Sequence, residues 1–569
     1  MTRRFQIQDW ALPFLLVALA GLYFYLMKPA VAGFLYDDGM YLMAAKALAS
    51  GQGYRLLDIA GQPWFYKYPP LYPLALAGMW LLQPHFPANI GWLKSLNIAL
   101  LLISLGLLHY YFRKYHSLSR WVSLGLLAWL GTNWHLIEVT IEMMSEPLFL
   151  LLTTLTLILL HETTETLSKR YLLLLIVLSV AAFYTRTMGL TLILAATVWL
   201  AIKVSRRDAV KYLGSCLLLM APWLVWSVSK PNITQAIGDF LIRSFQETYF
   251  QSFKMDLTYE YSLPDMLWHG IQELINTSAI QFFPWLERLR SLLPANLFTL
   301  ILLTLSFTIV LLLGFYTYRA YQAKQVSVSA LYVLIYLAVL PWWSFYQCYP
   351  RFLVIILPFL CVFLLKSIQS KFQSSAHTRT AIITLLTVGL ITNGLHLTAY
   401  LAKASPNTMV INAKADVWSN YSIIIQFLKE NTPKNAVIYT DNVDETYLFA
   451  LNTQRKALDV FLFLPKTTID KTCPVTSTAC LMNFYEKNAD ATWQLLRQKH
   501  VDYVIINRMQ VTKMPTNSWH LIPKTTPTSR MLLAKHSEQL LPVAQTDDGW
   551  ITVYQVLPSP AIPQQEHLH

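Results

Sequence analysis

Leu-rich apolar runs, separated by short segments dense in Lys and Arg, recur through residues 1–400, and this alternation constrains the fold more than any other feature. Leu96–Leu108 and Ile301–Leu313 are two such runs. Only 13% of residues are charged and 55% are hydrophobic, whereas a soluble protein carries about 25% charge. A polytopic α-helical membrane protein is the simplest reading. The formal charge of +13 does not point to nucleic acid, because the basic residues gather between apolar runs and not on one face.

Candidate spans are 10–28, 91–112, 121–138, 147–161, 171–185, 189–203, 211–228, 296–318, 326–346, 351–366 and 379–400. Arg3-Arg4, Arg113–Arg120, Lys169-Arg170, Lys203–Lys211, Arg319–Lys324 and Lys366–Arg379 then fall on the cytosolic side, each with at least two basic residues. Leu71–Leu82 is apolar too, but it opens beside prolines and is short of the about 20 residues a straight span needs. If it crossed, Arg113–Arg120 would lie outside, against the positive-inside rule. A re-entrant or interfacial helix is expected there, which leaves about 11 transmembrane helices, a cytosolic N-terminus and an external C-terminus. Ala30-Val31-Ala32 resembles a signal-peptidase site, but an uncleaved first helix suffices to orient the spans that follow.

The expected organisation is a transmembrane module over 1–400 and an extracytoplasmic α/β domain over 401–569. The first external loop is 29–90 and a long external loop is 229–295. In the tail, Ser419–Asn431 has helical periodicity, while Ala436–Thr440, Tyr503–Asn507 and Ile551–Val556 read as strands. Cys216 and Cys361 lie in apolar runs as small core residues, and Cys348 stands at a run's end. Cys473 and Cys480 share the tail, and whether they form a disulfide stays open.

Charged residues near hydrocarbon are costly and usually have a task. The first external loop reads Tyr36-Asp37-Asp38-Gly39-Met40-Tyr41, then Lys67-Tyr68-Pro69-Pro70-Leu71. Asp37 and Asp38 are candidates for moving a proton, or for a polar turn before a helix over Met40–Ala49, with Asp38 near an N-cap. Glu146, in Ser145-Glu146-Pro147, is either a cap at the external start of a span or a further carboxylate of the same site; Glu138 and Glu142 compete with it. Lys67, Arg186 and Arg351 are headgroup anchors or, if they converge on the acids, a phosphate site. The histidines show no metal spacing, and neither a Walker loop nor G-x-G-x-x-G is present.

In these motifs the chain resembles the GT-C superfamily of polyprenyl-phosphate-sugar glycosyltransferases, with the protein O-mannosyltransferases and the bacterial aminoarabinose transferase as the nearest groups. Asp37-Asp38 is similar to the acidic motif of their first external loop, Lys67-Tyr68-Pro69-Pro70-Leu71 to their K-P-P-L element with one residue inserted, Ser145-Glu146-Pro147 to their second acidic motif, and Tyr349-Pro350-Arg351-Phe352 to a late basic motif. The resemblance implies a hexosyl- or pentosyltransferase of the bacterial inner membrane with its site outside the cytosol. Asp37 would be the base, Asp38 and Glu146 would support it, and Lys67, Arg186 and Arg351 would hold the donor phosphate. The implied partners are a polyprenyl-phosphate-sugar donor, a protein, lipid or glycan acceptor and membrane lipids, with no nucleic acid. Tyr66 stands where the aminoarabinose enzyme has an acid associated with metal, so no cofactor is expected, although a divalent metal is possible. The alternative is a transporter or lipid flippase, which would place ionisable groups near mid-membrane and show inverted repeats. A non-enzymatic scaffold would leave the loop charges unexplained.

Overall fold

The computed structural model describes residues 10–27, 32–33, 36–163, 168–229, 263–284, 286, 292–322, 327–342, 349–371, 375–403, 413–440, 443–458, 489–513, 519–523 and 527–558. The first part is helical. It opens with α1 (Ala11–Leu26), α2 (Asp37–Ala49), α3 (Leu71–Leu82), α4 (Ile90–Tyr115), α5 (Arg120–Gly131), α6 (Trp134–Ile141) and α7 (Glu146–His161). It continues through α8 (Lys169–Thr185), α9 (Gly189–Lys203), α10 (Arg206–Ser229), α11 (Leu263–Phe282), α12 (Ala295–Gln322) and α13 (Val328–Val339). A short α14 (Tyr349–Leu353) precedes α15 (Leu357–Lys371) and α16 (Ser375–Lys403).

Serines beside the basic segments start several of these helices. Ser119, Ser168 and Ser327 each accept a backbone N–H three residues on, which satisfies a donor that the first turn leaves open. Among the described residues four helices are individually long and apolar enough to cross a bilayer, lying in Ile90–Tyr115, Arg206–Ser227, Asn296–Arg319 and Ala376–Ala399. The pair α6 and α7 makes a fifth if taken as one span, bent by 112°.

Three expected spans differ from the structure. Residues 121–138 are not one helix: α5 ends at Gly131, and Asn133 caps α6 by accepting the His135 N–H. Leu19 of α1 packs on Gly131, where a Cβ would meet it at 2.5 Å, and Tyr23 donates to the Gly131 carbonyl. The described residues of 326–346 form α13 and a 3-10 turn containing Pro341, and 351–366 divide between α14 and α15. Leu71–Leu82 is a separate helix that starts after Pro70 and lies against α2. Cys348, Cys473, Cys480 and most of the loop 229–295 lie outside the described residues.

The C-terminal part contains α17 (Ala413–Asn431), β1 (Val437–Thr440), α18 (Val443–Thr453), β2 (Lys456–Leu458), β3 (Tyr503–Asn507), a β4–β5 pair (Met509–Lys513 with Trp519–Pro523), β6 (Leu540–Gln545) and β7 (Ile551–Val556). The sheet order is β2-β1-β3-β7-β6, with β1 parallel to β2 and β3 and the other neighbours antiparallel. The three strands expected from the sequence are all present, because each is a β-rich run that the sheet buries. This sheet reaches the first loop: Ile59 bridges Ala457 in parallel, with Ala60 N–H donating to the Ala457 carbonyl and Ala457 N–H to that of Asp58.

Candidate active site

The two adjacent aspartates separate by role as soon as α2 forms. The helix begins at Asp37, earlier than expected, so both carboxylates sit in its first turn, where the partial positive charge of the helix end favours them. Asp38 is not the N-cap. Its side chain is fully buried and turns back along the loop, where Oδ2 accepts the Gly33 N–H at 2.7 Å. Asp37 faces the cations instead.

Two segments far apart in sequence bring partners to Asp37. Arg351 Nη2 donates to Oδ2 at 2.7 Å, Lys67 Nζ lies 3.9 Å from Oδ1, and the Tyr68 hydroxyl donates to Oδ1. Burial pushes the carboxyl upward, but Arg351, Lys67 and the Tyr68 hydrogen bond outweigh it, so Asp37 is held below the usual aspartate range. The Tyr68 phenol is raised well above its ordinary value by burial and by Asp37 beside it, so it stays a donor.

Arg351 also links Asp37 to the second carboxylate. Its Nε lies 2.7 Å from Glu146 Oε1, and Arg186 Nη1 lies 2.7 Å from the same oxygen. Glu146 is 0% exposed, at the first turn of α7, where Pro147 fits because no intrahelical donor is required there. Arg186 Nη1 also donates to Ser145 Oγ at 2.8 Å, and Ser145 Oγ lies 3.2 Å from the Tyr41 hydroxyl. Tyr41 is one turn along α2 from Asp37 and packs against Tyr68 and Tyr72. The result is a chain of opposite charges, Lys67 to Asp37 to Arg351 to Glu146 to Arg186, in which three cations face two carboxylates.

Of the expected residues, Asp37, Glu146, Lys67, Arg186 and Arg351 come together, and Asp38 lies beside them facing the backbone. Glu142 does not join: it pairs with Lys94, whose side chain is buried in α4, at 3.7 Å. Asn97, one turn along from Lys94, accepts from Tyr72 and donates to the Met144 carbonyl, so this pair supports the turn that presents Glu146. Sequence reasoning passed over Lys94, although a lone lysine in an apolar run was a visible signal. It also treated Tyr68 as an intrusion, whereas its phenol reaches the carboxylate.

The residues present do not compose a metal cage. Among the described residues no three His, Cys, Asp or Glu side chains group in a way that could hold an ion, and both carboxylates of the cluster point at guanidinium groups.

No family model matches the sequence, and no curated protein sequence matches it. Solved structures do match in fold. ArnT from Cupriavidus metallidurans, solved bound to undecaprenyl phosphate, aligns with a TM-score of 0.55 at 10% identity, over 98% of this chain and 100% of that one. The archaeal oligosaccharyltransferase AglB from Archaeoglobus fulgidus, in complex with an inhibitory peptide and a dolichol-phosphate, aligns with a TM-score of 0.51 at 9% identity, over 96% of this chain and 81% of that one. At such identities the likeness is one of fold alone.

Proposed function

We propose that this chain is a membrane glycosyltransferase that moves a sugar from a polyprenyl-phosphate donor to an acceptor hydroxyl at the external membrane face. The observation that carries the reading is the buried ion cluster, where Lys67, Arg186 and Arg351 surround Asp37 and Glu146. The likeness in fold to structures that hold undecaprenyl phosphate and dolichol-phosphate supports it.

In this reading Asp37 takes the proton of the acceptor hydroxyl, and the oxygen attacks the anomeric carbon. The bond from that carbon to the phosphate oxygen breaks, and the lipid phosphate leaves with the electron pair. Lys67 and Arg351 neutralise the leaving phosphate in a partly dry site, where fixed charges act strongly. The same two cations hold Asp37 acidic beforehand. A donor phosphate competes for them, so its arrival frees Asp37 to act as a base. Glu146 stays between the guanidinium groups of Arg186 and Arg351 and fixes their direction.

The proposed topology is the one read from the sequence: about eleven crossings, a cytosolic N-terminus and an extracytoplasmic domain over 401–569, with the site on the external face of the inner membrane. Cysteine introduced at exposed Ala88 should then label from outside, and at exposed Ser117 only after permeabilisation. External labelling at Ser117 would overturn the topology.

The activity test is sugar transfer by purified protein in detergent, from polyprenyl-phosphate-sugars to hydroxyl acceptors. A transferase works without compartments. Sugar movement seen only in sealed vesicles would favour the transporter and contradict the proposal.

A further inference from the structure

Both ends of the acidic helix are tied to the C-terminal region. At its start, Gly39 lies so close to α18 that a Cβ there would meet Tyr447 Cβ at 2.5 Å, and Gly33, at φ +86°, lies against the Leu448 backbone. Asn452 Nδ2 donates to the Ala32 carbonyl at 2.9 Å. At the other end, Lys46 in the last turn of α2 pairs with Asp58 at 2.7 Å, and Asp58 accepts the Ala457 N–H through its carbonyl. One unit, α18 with β2, therefore grips the helix that carries Asp37 at two points.

Between those points lies a chain of rings. Tyr36, immediately before Asp37, adopts φ 61°, a conformation that a bulky residue holds only where its surroundings fix it. Its ring meets Tyr447 edge to face, with centroids 4.9 Å apart at 86°. The Lys67 ammonium sits 4.5 Å from the centroid of the same Tyr36 ring and 4.9 Å from that of Tyr68. Tyr447 fixes the ring on which the ammonium rests.

We propose that Tyr447 is a positioning residue for Lys67, acting through the ring of Tyr36, so that the α18–β2 unit of the C-terminal region sets where the site holds a lipid phosphate. This rests on the phosphate role assigned to Lys67 above. The C-terminal region is then part of the donor site's architecture.

The test measures binding of polyprenyl phosphate to full-length protein in nanodiscs, with thermal stability recorded in parallel. Tyr447→Leu and Tyr36→Leu should each weaken binding by about 10-fold, the order expected when a ring under a partly desolvated cation is lost. Tyr447→Phe and Tyr36→Phe keep the rings and should stay within about threefold of the parent. In a Lys67→Ala background the Leu substitutions should have no further effect on binding, which a purely structural role for Tyr447 would not produce. If Tyr447→Leu does not fold, Tyr36→Leu carries the comparison. Should Lys67→Ala weaken binding while folded Tyr447→Leu and Tyr36→Leu match the parent, this inference is wrong and the phosphate role stands. Should the Leu variants weaken binding equally with and without Lys67, the inference is also wrong. Should Lys67→Ala itself leave binding unchanged, the phosphate role falls and takes the inference with it.

Discussion

Helices α4 and α7 lie side by side and carry a polar cluster at each end. At their N-terminal ends stand Lys94 and Glu142, with Glu146, Arg186 and Arg351 adjoining. At their C-terminal ends, Lys114 pairs with Glu162, which also accepts from Tyr115. Helix polarity suits both arrangements, since Glu146 opens α7 and Lys114 lies in the last turn of α4. Burial and charge balance separate them. The Lys114–Glu162 pair is open to solvent and matched one to one, so water and salt screen it and its loss matters little. The opposite cluster is buried, joins residues far apart in sequence, and has more cations than the two carboxylates at its centre. A buried arrangement of that kind is hard to account for by stability alone, because desolvating charges offsets much of what their attraction returns.

The comparison breaks most visibly at Glu146. Glu146→Gln leaves Arg186 and Arg351 facing each other without their shared anion, and removing one partner of a buried pair costs about 3–5 kcal/mol. A large fall in melting temperature together with loss of transfer is the expected outcome, read by thermal unfolding and sugar transfer. Asp37→Asn should lower transfer by roughly 10²-fold or more while the protein still folds, as removal of a general base does. Its effect on stability should depend on pH. The Asp37 carboxyl is held below its unfolded value, so its ion pairs contribute above the ordinary aspartate range and are lost as pH falls through the folded value. The gap in melting temperature between parent and Asp37→Asn should therefore close on acidification. Lys67→Ala should raise the donor KM and lower kcat together, and Lys67→Arg should recover only part, because a planar guanidinium does not replace a compact ammonium resting on two rings. At the far end of the same helices, Lys114→Ala should leave transfer within about twofold of the parent.

Much of this was legible in the sequence, for reasons that differ by element. The apolar runs and their basic borders announce helices, since the bilayer demands internally satisfied backbone. The tail strands were legible because β-rich runs such as Tyr503–Asn507 fill a sheet with little help from elsewhere. The break in 121–138 was not, because it depends on Asn133 capping a new helix and on α1 packing at Gly131, and neither leaves a mark in hydropathy. The residue types of the site were visible as costly charges near hydrocarbon. Their pairing was not: Arg351 lies 314 positions from the aspartate it bonds, and choosing Glu146 over Glu142 required knowing that Lys94 takes the latter. The grip of Tyr447 on Tyr36 joins opposite ends of the chain and has no local signature.

The most direct test of the account is whether the buried cluster recognises the phosphate of a polyprenyl lipid. Binding of polyprenyl phosphate to the parent protein in nanodiscs should be compared with that of the neutral polyprenol of the same chain length. The account predicts a preference of about 10-fold or more for the phosphate, of the size that charge-assisted pairing supplies, falling sharply in Arg351→Ala and Lys67→Ala. Equal affinity for the two lipids, or a preference that survives both substitutions, would contradict it.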